Sequence, residues 1–268
     1  MIHVVVNTKG GAGKSTAAIQ VVAAYLSNLK QGGKVNFVEI DDENKTVTKF
    51  ANSNIVGQAS VISTELIDKF VDDSSFAVDD IVVDVGGNKT ATMFLERLKV
   101  TGGFIAPSTY YIPLLDGDQD AINADATFKA IREFDTNSRI IYILNRAANK
   151  KNKELLERQF IFFFGDEILD IPKVRIDERT FVVALNNADI YKVAGRLQKT
   201  IFELAEENYD KEFKELAELY WEDRDNQDVY KRLRIVQKLK DSQRESAIIV
   251  HNEYAELFEN LDEIFQGA

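Results

Sequence analysis

The sequence predicts an α/β fold: a parallel doubly wound sheet with helices on both faces, followed by a C-terminal helical extension. Three observations predict it. Short apolar runs alternate with stretches of helical period, the pattern of repeated strand–helix–strand units. A glycine-rich turn follows the first apolar run and opens a helix, and beyond residue 192 the strand signals stop.

The strands are expected at 2–6, 35–40, 81–84, 103–107 and 140–144, with a weaker run at 168–171. Each is a short apolar run between stretches of helical period. The intervening helices are expected at about 15–30, 61–71, 89–99, 115–134 and 150–161. Crossovers this short in a parallel sheet should be right-handed, which puts helices on both faces. In the extension, Leu197, Ile201, Leu204, Phe213, Leu216 and Tyr220 form one helical stripe. Val250, Tyr254, Leu257, Leu261 and Ile264 form another. The expected division is therefore a sheet domain over 1–192 and a helical extension over 193–268, packed on that domain or on a partner.

Composition narrows the class. A chain of 268 residues, 45% hydrophobic, has enough apolar surface for a large core. It has no cysteine, which removes disulfides, thiolate chemistry and cysteine-ligated metals and fits a cytoplasmic protein. No apolar run approaches the ~18 residues of a membrane span, and Met1 leads straight into a strand pattern, so the expectation is a chain neither exported nor inserted. The formal net charge of -11 opposes adhesion of the whole molecule to DNA or anionic lipid, so either partner would need a local basic patch.

The chemistry concentrates in residues 4–20, VVVNTKGGAGKSTAAIQ. A strand, a glycine-rich turn and a helix starting near Lys14 would aim backbone N–H groups and a helix N-terminus at one point, an anion site before any side chain is counted. Lys14 would then reach β- and γ-phosphates, and the Ser15 hydroxyl would serve Mg²⁺. An ordinary Walker A loop reads G-x-x-x-x-G-K-[ST]; here Thr8 holds the place of the leading glycine and Lys9 stands in front of the remaining ones. Read from the loop alone, Lys9 is either a solvated surface lysine or a second phosphate ligand.

Two acidic sites lie at suitable distances. The second strand ends in NFVEIDDENKT, placing Asp41 where ligands bind in open α/β sheets. The third ends in IVVDVGGNKT, an apolar run closed by Asp84 in the manner of a Walker B carboxylate that holds Mg²⁺ through water. Gly86 and Gly87 would let the backbone approach a γ-phosphate and move when it leaves.

The K-G-G-x-G-K-S-T composition resembles the loop of the deviant Walker A ATPases of the ParA/MinD family, closest to its ParA-type partition members, over about residues 1–192. The resemblance implies a P-loop NTPase sheet, ATP and Mg²⁺ as cofactors, and ATP hydrolysis. It also implies a homodimer that sandwiches two nucleotides, with Lys9 reaching the phosphates held by the other subunit. Lys9, Lys14 and Asp41 then carry catalysis, Asp41 by helping to polarise the attacking water. Gly10, Gly11, Ala12, Gly13, Lys14, Ser15, Thr16 and Gly87 bind the nucleotide, and Ser15 and Asp84 the metal. Asn145, ending the strand in IIYILNRAANKKNK, matches the family's adenine-recognising asparagine, although an asparagine at a strand end also has ordinary structural uses. The chain departs from the family's D-x-D-P-Q: Glu39 replaces the first aspartate, Asp42 the proline and Glu43 the glutamine.

By the same resemblance, ATP-switched dimerisation serves plasmid or chromosome partition, or intracellular positioning, through binding to DNA and to a partner protein that stimulates hydrolysis. The alternative is a positioning or scaffold ATPase for a protein cargo that does not use DNA. A MinD-like membrane anchor is disfavoured, because residues 241–268 carry seven acidic residues against one arginine. Two basic clusters are candidates for non-specific DNA contact: Lys231, Arg232, Arg234, Lys238 and Lys240, and Arg146, Lys150, Lys151 and Lys153. A solvated helix face explains either cluster as well. His3 and His251 lack metal-ligand companions and read as structural.

Overall fold

The structure, a computed structural model, describes residues 1–42, 47–50, 52–74 and 79–266. Glu43 lies outside the described residues. Seven strands form one sheet: β1 (Ile2–Val5), β2 (Val35–Ile40), β3 (Val56–Ile62), β4 (Ile81–Val85), β5 (Ser108–Leu114), β6 (Arg139–Ala147) and β7 (Thr180–Asn186). Their order is β3-β2-β4-β1-β5-β6-β7, and every neighbouring pair is parallel. The predicted α/β P-loop NTPase-like sheet is therefore the observed one. β1 lies between β4 and β5, so the chain's order reverses beside β1, and a crevice opens at the carboxyl ends of these strands.

The central strands are buried on both faces, as a parallel sheet under helices requires: all four residues of β1, and six of the seven in β5, are buried. The helix after the phosphate loop runs from Lys14 to Leu29, with the stretch Ala17–Ala23 wound as a π-helix. Further helices span Lys89–Thr101, Asp118–Arg132 and Lys153–Gln159, close to the expected ranges, whereas the helix expected at 61–71 starts only at Ile67 and runs to Ser74, because residues 61 and 62 complete β3.

Two expected strands are corrected. Residues 103–107 are not a strand: Gly102 and Gly103, both at positive φ, terminate the preceding helix on the Leu98 carbonyl, and pairing begins only at Ser108. The strand then runs through Pro113, which sequence rules place outside central strands. Proline is tolerated because β1 pairs with β5 only as far as Tyr111, and Asn7 Nδ2 donates to the Pro113 carbonyl at 2.8 Å on that side. The run at 168–171 is a turn, closed by an isolated antiparallel bridge between Asp166 and Ile171. Two strands were not expected. β3 is an edge strand with partly exposed residues, and β7, at the opposite edge, holds the apolar run FVVAL at 181–185.

The chain divides into two compact units, one of Met1–Ala188 with Leu257–Ala268 and one of Asp189–Glu256. The last helical residues thus return to the sheet unit. There Phe258 and Phe265 pack on Tyr25 at ring-centroid distances of 5.5 and 5.8 Å, and the Tyr25 hydroxyl donates to Asp262 at 2.8 Å. Burying side chains of this size contributes roughly 1.5–3 kcal/mol each, which explains why Leu257, Leu261 and Ile264 hold a helical stripe. The second unit is all helical. Thr200 and Glu203 close a reciprocal capping box, Asn226 caps the helix Gln227–Ile249, and Tyr191 and Tyr254 meet through their hydroxyls at 3.1 Å.

Candidate functional site

The turn between β1 and its helix needs glycine. Gly11 and Gly13 sit at φ 78 and 86, and a Cβ on Gly13 would lie 2.6 Å from Asn145 Nδ2. The turn, the end of β2 and the β4 loop enclose a cavity of about 380 Å³. Its lining includes Gly10, Gly11, Gly13, Lys14, Ser15 and Thr16 from the turn and helix. Glu39, Asp41, Asp84 and Gly87 line it from the strand ends. The residues expected to bind phosphate, metal and water therefore converge on one space. Ala12, also expected to bind nucleotide, is buried and is not among the residues lining the cavity; its carbonyl accepts from Asn145.

Lys14 is 8% exposed, and its Nζ donates to the Lys9 carbonyl at 2.7 Å. Burial pushes its pKa below the ordinary lysine value, against the pull of Asp84 and Asp41. The complementary strain falls on Asp84. It is fully enclosed, faces Glu39 in register across β2 and β4, and accepts a hydrogen bond from Ser15. Burial, aided by Glu39 and Asp41 and opposed by Ser15 and Lys14, pushes its carboxyl up to about 7. Carboxylates crowded against one another and short of positive charge suit a divalent cation. Among the described residues no cluster of three or more His, Cys, Asp or Glu side chains could hold a metal unaided, so phosphate oxygens would have to complete its shell.

Asp41 is half-buried beside Gly86, where a Cβ would come within 2.9 Å of its carboxylate. Asp42, which stands where the family has proline, turns away from the cavity. It accepts from Thr64 N at 2.9 Å and from Thr64 Oγ1 at 2.7 Å, and these bonds hold its carboxyl below the usual range. The departure from the family pattern thus serves to cap the segment leading into helix Ile67–Ser74.

Lys9 is not a free surface lysine in this chain. Its Nζ is paired with Asp120, a carboxylate 3% exposed at the start of helix Asp118–Arg132, while its own N–H donates to Asn7 Oδ1 at 2.9 Å. Asn145, at the end of β6, is buried; its Nδ2 donates to the Ala12 carbonyl at 2.8 Å, and its Oδ1 has no partner. It braces the phosphate loop but is not among the residues lining the cavity.

Two residues of the site were missed. Asp120 carries no local sequence signal, because only the tertiary fold brings it to Lys9. Asn88 follows the glycine pair and lines the cavity at φ 51, ψ -118, a conformation that costs a residue with a Cβ about 1–3 kcal/mol. Its Oδ1 accepts from Gly10 N at 3.2 Å, and its N–H donates to the Thr8 carbonyl at 2.9 Å.

Residues 1–63, which hold the phosphate loop and Asp41, match the family model described as ATPase MipZ. No curated protein matches the chain in sequence. Among solved structures, it is similar to a putative plasmid partition protein from Borrelia burgdorferi B31 bound to AMPPNP, at 16% identity over 73% of this chain and 88% of that one, with a TM-score of 0.48. A nucleotide-binding protein from Archaeoglobus fulgidus in complex with ADP is 14% identical over 74% and 87%, with a TM-score of 0.47. At these identities and scores, the functional argument rests on the residues themselves.

The basic clusters are placed on different elements. Lys231, Arg232, Arg234, Lys238 and Lys240 lie on helix Gln227–Ile249. Three of the five are tied to acids within the same unit: Lys231 to Asp228 at 3.7 Å, Arg232 to Glu212 at 3.4 Å, and Lys240 to Asp210. In the second cluster Arg146 is the last residue but one of β6, at φ 60, and Lys153 opens the next helix, where it faces Glu157 at 3.7 Å. No helix among the described residues is long and apolar enough to cross a membrane.

Proposed function

We propose that this protein binds Mg²⁺-ATP, dimerises on it and hydrolyses it, as a partition or positioning ATPase of ParA type. One observation carries the reading: the glycine turn, Lys14, Ser15, Asp84 and Asp41 surround one cavity at the carboxyl ends of β1, β2 and β4. In it, the loop amides and the helix N-terminus take the α- and β-phosphates. Lys14 Nζ leaves the Lys9 carbonyl for the β- and γ-phosphates. Ser15 and Asp84 would hold the magnesium, which when bound neutralises charge on the β- and γ-oxygens. Asp41 orients the attacking water, and the orphaned Asn145 Oδ1 is an acceptor suited to the adenine amino group.

Lys9 has to exchange Asp120 for a phosphate of the second subunit, so dimerisation opens an ion pair that the monomer keeps closed. The proposed division of labour is a sheet domain, about 1–192 joined by the last helical residues, that binds nucleotide, and a helical extension between them that meets a partner. The cytoplasm is the proposed compartment.

The experiment is Asp41→Ala. A residue that orients water acts mainly in the transition state, so turnover should fall by about 100-fold or more while ATP affinity stays within a few-fold, leaving a persistent ATP-bound dimer. Hydrolysis at the parental rate would contradict the assignment.

DNA is the proposed track, bound through the 231–240 cluster. Replacing Lys231, Arg232 and Arg234 with glutamate should weaken binding to all sequences alike and flatten its salt dependence, since phosphate contacts carry no sequence information. Equal binding of variant and parent across a salt series would remove the cluster from the account. The ion pairs of Lys231, Arg232 and Lys240 favour the second reading, a protein cargo without DNA, because they offset part of the cluster's charge. The exposed pairs of Lys231 and Arg232 are weak enough for phosphate to displace, which keeps DNA the first reading.

A further inference from the structure

We propose that Asn88 is a latch that discriminates triphosphate from diphosphate by closing the γ-phosphate end of the cavity. The inference rests on the nucleotide reading above and deepens it. Gly10 is the residue of the loop farthest from the helix N-terminus that lines the cavity, and its N–H is taken by Asn88 Oδ1 at 3.2 Å. A Cβ on Gly87 would lie 2.9 Å from Gly10 Cα and 3.1 Å from Lys14 Nζ. The Gly10 amide, the Lys14 ammonium and the Gly86-Gly87 turn therefore meet at one point. Because the amides near the helix N-terminus serve the α- and β-phosphates, that point is where a third phosphate arrives.

The latch is set under tension. Asn88 holds a left-handed backbone without being glycine, and it stays there through its N–H to the Thr8 carbonyl and its carboxamide to Gly10. Its own carbonyl accepts from Thr92 N and Thr92 Oγ1, both at 3.2 Å, so the start of helix Lys89–Thr101 is fixed to it. An anionic phosphate oxygen is a stronger acceptor than a neutral carboxamide, so a γ-phosphate displaces Asn88 from the Gly10 amide. Release relieves the backbone and frees the first turn of the helix to move. A diphosphate, lacking that oxygen, leaves the latch closed.

Calorimetry with Mg²⁺ and either ADP or a non-hydrolysable ATP analogue tests this on Asn88→Ala and Asn88→Asp. Alanine keeps the N–H to the Thr8 carbonyl and loses the carboxamide, so the analogue should bind about 3- to 10-fold tighter, the worth of one neutral hydrogen bond, with ADP unchanged. Aspartate gives Gly10 a charged acceptor and faces the incoming phosphate, so the analogue should bind at least about 10-fold more weakly, and ADP much less so. Equal shifts for both nucleotides, or weaker analogue binding by the alanine variant, would overturn the latch while leaving the nucleotide reading standing. A parent protein that binds neither nucleotide would overturn both.

Discussion

Lys14→Ala is expected to lower affinity for ATP by about 10- to 100-fold, the worth of one or two charge-assisted hydrogen bonds to phosphate. The backbone cradle survives the substitution, because Gly11 and Gly13 set the turn through their own dihedrals and Asn145 braces it through the Ala12 carbonyl. The loss is therefore confined to the ammonium. In the parent, Lys14 has given up water for the Lys9 carbonyl and for the field of Asp84 and Asp41, so it is already desolvated where phosphate arrives. Calorimetry decides the matter: equal affinity in parent and variant contradicts the site. Thermal melting of the free variant separates this effect from unfolding.

Lys9→Ala is expected to bind ATP as a monomer, to fail to dimerise, and to have little ATPase activity. Two symmetry-related contacts to phosphate vanish from the dimer, and none from the monomer's own site. Contacts made only in the dimer shift the monomer–dimer equilibrium by their differential free energy, here on the order of 10²- to 10⁴-fold, and leave first binding nearly untouched. The Lys9–Asp120 pair adds a control that the sequence did not suggest. Removing Lys9 alone strands a buried carboxylate, which is destabilising in its own right. The double variant Lys9→Ala, Asp120→Asn removes that burden, and should be folded, ATP-binding and still monomeric.

Much of the site was legible because its parts are local. Residues 10–16 fall within one turn and the start of its helix, and Asp41 and Asp84 each close or follow an apolar run, so strand, turn and helix signals were enough to bring them together. What escaped was set by tertiary structure. Asp120 is 111 residues from Lys9 in sequence, and nothing in GDQDA distinguishes it from its neighbours until the helix is placed beside the loop. Asn88 looked like part of a flexible glycine turn, whereas its backbone dihedrals and its bond to Gly10 show a fixed joint. The strand expected at 103–107 begins only at Ser108 because Gly102 and Gly103 still close the preceding helix on the Leu98 carbonyl, a contact that an apolar run does not disclose. Asp42 was a bare departure from a motif until Thr64 supplied its partner.

The central claim is that nucleotide state sets assembly through Lys9. Light scattering of the parent protein with Mg²⁺ tests it most directly, comparing a non-hydrolysable ATP analogue with ADP at equal saturation. The account predicts twice the monomer mass with the analogue and the monomer mass with ADP, and the monomer mass with both nucleotides for Lys9→Ala, Asp120→Asn. A dimer of parental strength in that variant, or a parent that remains monomeric with bound analogue, would contradict it.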